Sequence, residues 1–397
     1  MLVKRKIHSY NYIIGILLLV LFVLPSCGSK KYTSNDGEAI FSVSSDLQID
    51  ERLAGVSVEA PTYIEDACLL TTDFDYQNAG ISMDSYPKID VSDYKKYFSR
   101  SGDLDFYLHP IICDGNVYNI TNEAEIEAYR LQNQKVKKMW SKKTLSSKEK
   151  KNISLSQARL EDDAIYISTS NGWVIAFDVE KQEILWKRNV PEIFSASPTI
   201  YENKLYLISA SDKLFAFDRN TGEIIWQVDE GVSGVYQRAF QKSPVAIFQG
   251  KIVAGFSNGT IIVVKADDGE YIWKSKVVQA QNTSNAMQND ICFPPILFNG
   301  ILVAGGLDTS VMGFDFASGQ ALWQIPVGLN SYMFYNSDGL GFFVDKNNEN
   351  VCFLIQNGAI KSVKSHPQIA LKNMPRYMNN GKNIKTIPVN RYFDAVE

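Results

Sequence analysis

NKLYLISASDKLFAFDRNTGEIIW, residues 203–226, is the stretch from which the architecture can be read. Two apolar runs flank the turn Ser211-Asp212. A polar turn through Asn220-Thr221-Gly222-Glu223 then leads to a third run that ends on Trp226. Each run is short, rich in branched or aromatic residues and bounded by turn formers, which is how strands read. The unit returns at least four more times. Five of the six tryptophans, Trp140, Trp186, Trp226, Trp273 and Trp323, recur at intervals of 40 to 50 residues, while Trp173 stands apart.

The copies align element by element. They open on HPIICDGNVY (from His109), SPTIYENKLY (from Ser197), SPVAIFQGKIV (from Ser243) and PPILFNGILV (from Pro294). A tight turn follows the second strand at Asn171-Gly172, Ser211-Asp212 and Asn258-Gly259, residue types that accept the positive φ of a two-residue hairpin. The interval from the residue facing the tryptophan is ten in four copies: Ala176 to Trp186, Ala216 to Trp226, Val263 to Trp273 and Gly313 to Trp323. It is two residues longer from Ala128 to Trp140. Register is therefore held in the last hairpin, and length varies in the connections.

A four-stranded sheet cannot bury both faces alone, but sheets stacked face to face around an axis can, leaving only short edges. One tryptophan per sheet, burying roughly 200 Å², would act as a wedge between neighbours, its indole N–H needing a carbonyl on the adjacent blade. The expected fold is all-β: a β-propeller of four-stranded antiparallel blades with docking tryptophans, seven or eight in number by length. Six units are visible. The sixth runs through Leu340–Val344 and residues 351–355, with Val363 expected in the tryptophan slot.

The nonapeptide Asp218-Arg219-Asn220-Thr221-Gly222-Glu223-Ile224-Ile225-Trp226, pattern DxxTGExxW, resembles the PQQ-like β-propeller repeat. That repeat occurs in quinoprotein dehydrogenases and in BamB-type lipoproteins of the outer-membrane β-barrel assembly machinery. The resemblance covers about residues 109–330. Quinoprotein dehydrogenases carry an adjacent cysteine pair at the cofactor and hold Ca²⁺ with carboxylate and asparagine. Here no two cysteines are adjacent, and Asn289-Asp290 is the only partial imitation. The resemblance therefore implies a non-catalytic scaffold without cofactor or metal. A PQQ-dependent periplasmic dehydrogenase and a propeller lipoprotein binding cell-wall sugars are the alternatives.

In BamB-type proteins two neighbouring connections dock the POTRA repeats of the barrel-assembly protein. The equivalents here are residues 231–242 (GVSGVYQRAFQK) and 279–292 (QAQNTSNAMQNDIC). The family presents apolar residues and an arginine from the first and aspartates from the second. Val235, Tyr236 and Arg238, with Asn289 and Asp290, are the candidate partner contacts, while Cys292 stands where a second aspartate is expected. An internal Arg238–Asp290 pair in two solvated loops is the competing reading. Unfolded outer-membrane proteins are further candidate partners, by strand-to-strand pairing.

Composition narrows the rest. The chain has 397 residues, 45% hydrophobic and 12% aromatic, with a formal charge of −4. No basic stripe with interleaved aromatics points to nucleic acid. The lysine-rich residues 136–151 read as a solvated loop. Trp173, just after a hairpin turn, either packs locally or faces a partner. Beyond residue 26 only His109 and His366 remain, too few for a histidine metal site or triad.

Residues 1–26 read as a lipoprotein signal peptide: Lys4, Arg5, Lys6 and His8, an apolar segment through residue 24, then Leu24-Pro25-Ser26-Cys27. Cys27 is the expected lipidation site, and residues 27–45 a flexible tether. Gly28 after the cysteine resembles the pattern of lipoproteins released to the outer membrane, facing the periplasm. Residues 46–397 are then one propeller domain, with residues 94–98 the candidate N-terminal strand that completes the last blade. Cys68, Cys113, Cys292 and Cys352 are expected to be buried free thiols, since no CxxC exists.

Overall fold

The computed structural model describes residues 47–53, 63–64, 81–82, 86–87, 111–113, 115–132, 135–154, 156–231, 242–280, 290–330, 333–347 and 349–365. All lie within one compact unit, Ser45–Glu397. Apart from a 3₁₀ turn at Glu51–Leu53, the regular structure among them is strand.

Six sheets follow one another along the chain, each with its four strands antiparallel and in sequence order across the sheet. The third is typical: Thr199–Tyr201, Lys204–Ile208, Lys213–Asp218 and Ile224–Asp229. The first spans Ile111–Cys113 to Lys135–Lys143, the second Ser156–Glu161 to Glu183–Asn189, the fourth Ala246–Phe248 to Tyr271–Lys276 and the fifth Ile296–Phe298 to Ala321–Ile325. The sixth spans Phe334–Tyr335 to Ile360–Ser365 and gains a parallel strand, Ile81–Ser82, beside Phe334–Tyr335. At its other edge Ile49 forms a parallel bridge to Ile360. A separate short parallel pair joins Tyr63–Ile64 to Tyr86–Pro87. A seventh or eighth blade would have to come from residues outside the described ones, as would the expected strand at 94–98.

The core is a series of layers between successive sheets. Side chains alternate along a strand, so a strand buried on both faces is apolar at every position. In Lys204–Ile208, Leu205 and Leu207 pack toward the second sheet with Phe215 and Phe217. Tyr206 and Ile208 pack the other way, against Ile252 and Val264 of the fourth. The layers continue through Val253, Leu302 and Phe314 to Val303, Phe343 and Phe353. Outermost strands escape this burial, and Glu183–Asn189 is exposed or half-buried throughout.

The last hairpin of each sheet keeps one register. The residue facing the tryptophan is followed at once by a bulge: Ala176/Phe177, Ala216/Phe217, Val263/Val264 and Gly313/Phe314. In the sixth sheet the bulge falls at Cys352/Phe353, and Cys352 faces Ser362. Ser362, not Val363, therefore holds the tryptophan slot; the count of ten from Cys352 reaches it, and Val363 pairs with Val351 one step along.

Two other expectations are corrected. Residues 136–143 are not loop but part of the outer strand Lys135–Lys143, because they continue the pairing with Glu125–Gln132. Cys113 is disulfide-bonded, while Cys292 and Cys352 are free. Cys113 ends a three-residue strand and is only half-buried, so it is not sealed in a core run.

Candidate docking site

Antiparallel order puts two kinds of connection at opposite ends of the sheets. One end carries the turns joining the first to the second and the third to the fourth strand. The other carries the central turns and the crossovers between sheets.

At the first end the tryptophans dock. The indole N–H of Trp186 donates to the Arg219 carbonyl at 2.8 Å, Trp226 to Ala266 at 3.3 Å, Trp273 to Phe316 at 2.9 Å and Trp323 to Ile355 at 2.9 Å. Each ring rests on a glycine of the next sheet's last turn. A Cβ on Gly222 would come 2.4 Å from Trp186, and one on Gly269 would come 2.7 Å from Trp226. These glycines also hold positive φ, 71° and 74°, so both backbone and neighbour demand the missing side chain. Asp218 fixes the turn by accepting the N–H groups of Asn220 and Thr221, each at 2.9 Å. Trp140 differs. Gln182 occupies the glycine position at φ 57°. Trp140 instead lies 5.9 Å from Phe177 and 6.1 Å from Tyr118, and among the described residues its indole has no carbonyl partner. Trp173 packs locally, with the Lys187 ammonium 5.3 Å above its ring.

The opposite end holds the roots of both long connections. Val235, Tyr236, Arg238 and Asn289 lie outside the described residues, so neither their contacts nor an Arg238–Asp290 pair is described. Asp290 is placed, and what it meets is Lys242. Lys242 is 1% exposed. Its ammonium donates to Asp212 Oδ1 at 2.8 Å and to the Ser257 hydroxyl, and lies 3.7 Å from Asp290 Oδ1. Asp212 Oδ1 also accepts from the Ser257 N–H at 3.1 Å, and the Lys242 N–H donates to Ser195 Oγ at 3.0 Å. One cation thus ties the central turn of the third sheet, that of the fourth, and the end of the connection into the fifth. A charge taken out of water is tolerated only when paired and hydrogen-bonded in this way.

Around this group the Cys292 thiol is pushed up to about 12, first by burial and then by the Asp290 carboxylate. Lys346, paired with Asp308, is lowered by burial. The root of the first connection is held again by Glu230, which accepts from the Tyr271 hydroxyl and the Lys274 ammonium, both at 2.6 Å. The backbone around Asp290 is close-packed: a Cβ on Gly306 would fall 1.8 Å from the Asp290 carbonyl. Sequence reasoning missed Lys242. The available signal was its slot: Lys242 precedes Ser-Pro where the neighbouring sheets have Ala196 and Phe293, both 1% exposed. A lysine in an otherwise apolar slot must carry a buried counter-charge.

Fold and repeat define a PQQ-like β-propeller, with docked tryptophans between sheets and charged crossovers at the opposite end. Within that class the chain belongs to the family described as outer membrane protein assembly factor BamB, whose model matches residues 137–362. The protein of that name from Yersinia pestis is 22% identical over 196 residues, 49% of this chain and 49% of the relative. The one from Escherichia coli K12 is 23% identical over 266 residues, 65% of this chain and 66% of the relative. The match thus spans less than two thirds of the length of either relative. The crystal structure of BamB from Moraxella catarrhalis superposes with a TM-score of 0.53 at 17% identity, over 65% of this chain and 75% of that one, a likeness of fold.

Proposed function

We propose that this protein is a non-catalytic scaffold of outer-membrane β-barrel assembly, docking a POTRA-containing barrel-assembly partner through the connections at 231–242 and 279–292. The observation that carries the reading is the family match across residues 137–362. The geometry supports it: both connections rise from the same end and share Lys242 and Asp290 at their roots. In this reading residues 1–26 are removed, Cys27 carries the lipid, residues 27–45 are the tether, and residues 46–397 form the propeller facing the periplasm. The Cys113 disulfide fits export, since disulfides persist in oxidising compartments. The mechanism is geometric. The lipid holds a rigid stack of sheets at the membrane, Val235, Tyr236, Arg238, Asn289 and Asp290 meet the partner, and unfolded barrel strands pair with exposed sheet edges.

The test is mild in-cell crosslinking in the protein's own bacterium, followed by isolation from membranes. Recovery of a POTRA-containing barrel protein, reduced by Arg238→Ala with Asp290→Asn, is the expected result. Recovery undiminished by those changes would keep the scaffold and discard the site. A protein that comes alone carrying a quinone chromophore would replace the scaffold with a dehydrogenase.

A further inference from the structure

Residues 135–151 hold eight lysines and a single acidic residue, Glu149, in a chain whose formal charge is −4. The structure places the first half of this run on the outer strand of the first sheet, Lys135–Lys143, nine residues long. It places the second half on the turn that follows. Three local lysines are neutralised: Lys138 by Glu127, Lys150 by Glu123 and, from the next sheet, Lys187 by Glu149. Lys137, Lys142, Lys143, Lys148 and Lys151 are exposed and have no carboxylate partner among the described residues. Met139 stands among them, 53% exposed.

Lysines on an edge strand often only prevent edge-to-edge pairing. The other outer strands of this protein argue against that explanation. Lys135–Lys143 carries five lysines, whereas Glu183–Asn189, Tyr271–Lys276 and Ile360–Ser365 carry two basic residues each, and Ile224–Asp229 and Ala321–Ile325 carry none while exposing Ile224, Ile225 and Leu322. The charge is concentrated at one sheet, so it answers to something that meets that sheet.

We propose that this edge rests against an anionic bilayer surface. An outer strand of nine residues presents a line roughly 30 Å long, which suits a plane of headgroups better than a pocketed ligand. Lysine stems can lie along the interface with their ammonium groups among phosphates, and an exposed methionine between them can enter the headgroup layer. The inference rests on the lipid-anchored reading above: a lipid at Cys27 supplies the first membrane signal, and a polybasic edge the second. It would fix which side of the propeller faces the membrane and leave the later crossovers, at 231–242 and 279–292, for its partner.

The test uses the full lipoprotein extracted from membranes and reconstituted with phosphatidylcholine vesicles, with or without phosphatidylglycerol. Lysine acetylation is read residue by residue. At Lys137, Lys142, Lys143, Lys148 and Lys151 the expected labelling rate falls by about threefold or more on the anionic vesicles, and the gap closes at high salt. Lys251 and Lys276 serve as controls and should label alike on both. Lys137→Glu with Lys142→Glu and Lys143→Glu should abolish protection at Lys148 and Lys151 while the circular dichroism spectrum stays unchanged. Equal labelling on both vesicles, or protection indifferent to lipid charge and salt, overturns the proposal. Flotation separates it from the anchor. A protein that floats only with anionic vesicles would lack the lipid but keep the patch, and one that floats with neither would lose both.

Discussion

The two ends of the sheets are built to different rules. At the turn end, Trp186, Trp226, Trp273 and Trp323 repeat one contact, an indole N–H on a neighbouring carbonyl and a ring on a positive-φ glycine. At the crossover end the charged pairings do not repeat: Lys242 with Asp212, Glu230 with Tyr271 and Lys274, and Asp308 with Lys346 are separate solutions. A repeated local contact can hold the stack without regard to what the crossovers do. That frees the crossover end to vary in length and to carry a surface particular to this chain. Lys242→Met should break this comparison hardest. It leaves Asp212 buried without its cation and should cost about 3–5 kcal/mol in urea unfolding. Adding Asp212→Asn should restore roughly half, because the uncompensated charge is then gone. A cost near zero would mean that the crossover end is not organised by buried charge.

The turn end can be tested in both directions. Gly222→Ala puts a Cβ where Trp186 lies at 2.4 Å and at a φ of 71°, so a loss of about 2–3 kcal/mol is expected from strain and overpacking. The reverse experiment is Gln182→Gly, which removes a side chain held at φ 57° where the other docking turns carry glycine. A gain of about 0.5 kcal/mol is expected, as relief of backbone strain slightly exceeds the added freedom of the unfolded chain. If Gln182→Gly destabilises instead, the first interface is a distinct design and not an incomplete copy of the others.

The turn end was also the legible end. Its determinants, a tryptophan, a facing small residue and a turn glycine, recur at the same places in successive units, so the pattern survives in the sequence although each docking contact reaches into the next unit. The one difference there is Ser362 in the slot expected for Val363: the count of ten from Cys352 fixes the position, and not the nearest apolar residue. The crossover end was opaque because its charged pairings occur once each and leave no recurring pattern. Lys242 lies 30 residues from Asp212 in sequence, and an isolated lysine reads as solvated. Residues 136–143 read as loop because their lysine content masks a strand register that only the partner strand Glu125–Gln132 reveals.

The smallest expected effect lies at the first crossover, where the turn after the first sheet meets the second. Glu149 accepts the Ser146 N–H at 2.8 Å and the Lys187 ammonium at 2.7 Å. The Lys187 hydrogen bond, with those from Ser146, holds its carboxyl well below the usual range, at about 2. A depressed carboxylate binds fewer protons in the folded than in the unfolded state, so its contribution is present above the unfolded value and lost as pH falls. The window is therefore from about 4.5 down to about 2. Urea midpoints measured across that window should fall less steeply for Glu149→Gln than for the native chain, with the two curves parallel above pH 6 or so. Because the pair is partly solvated, the difference should also shrink at high salt. A slope unchanged by the substitution would show that the turn is held by strand Lys135–Lys143 alone, and that this lysine-rich edge needs no acidic clasp to keep its place.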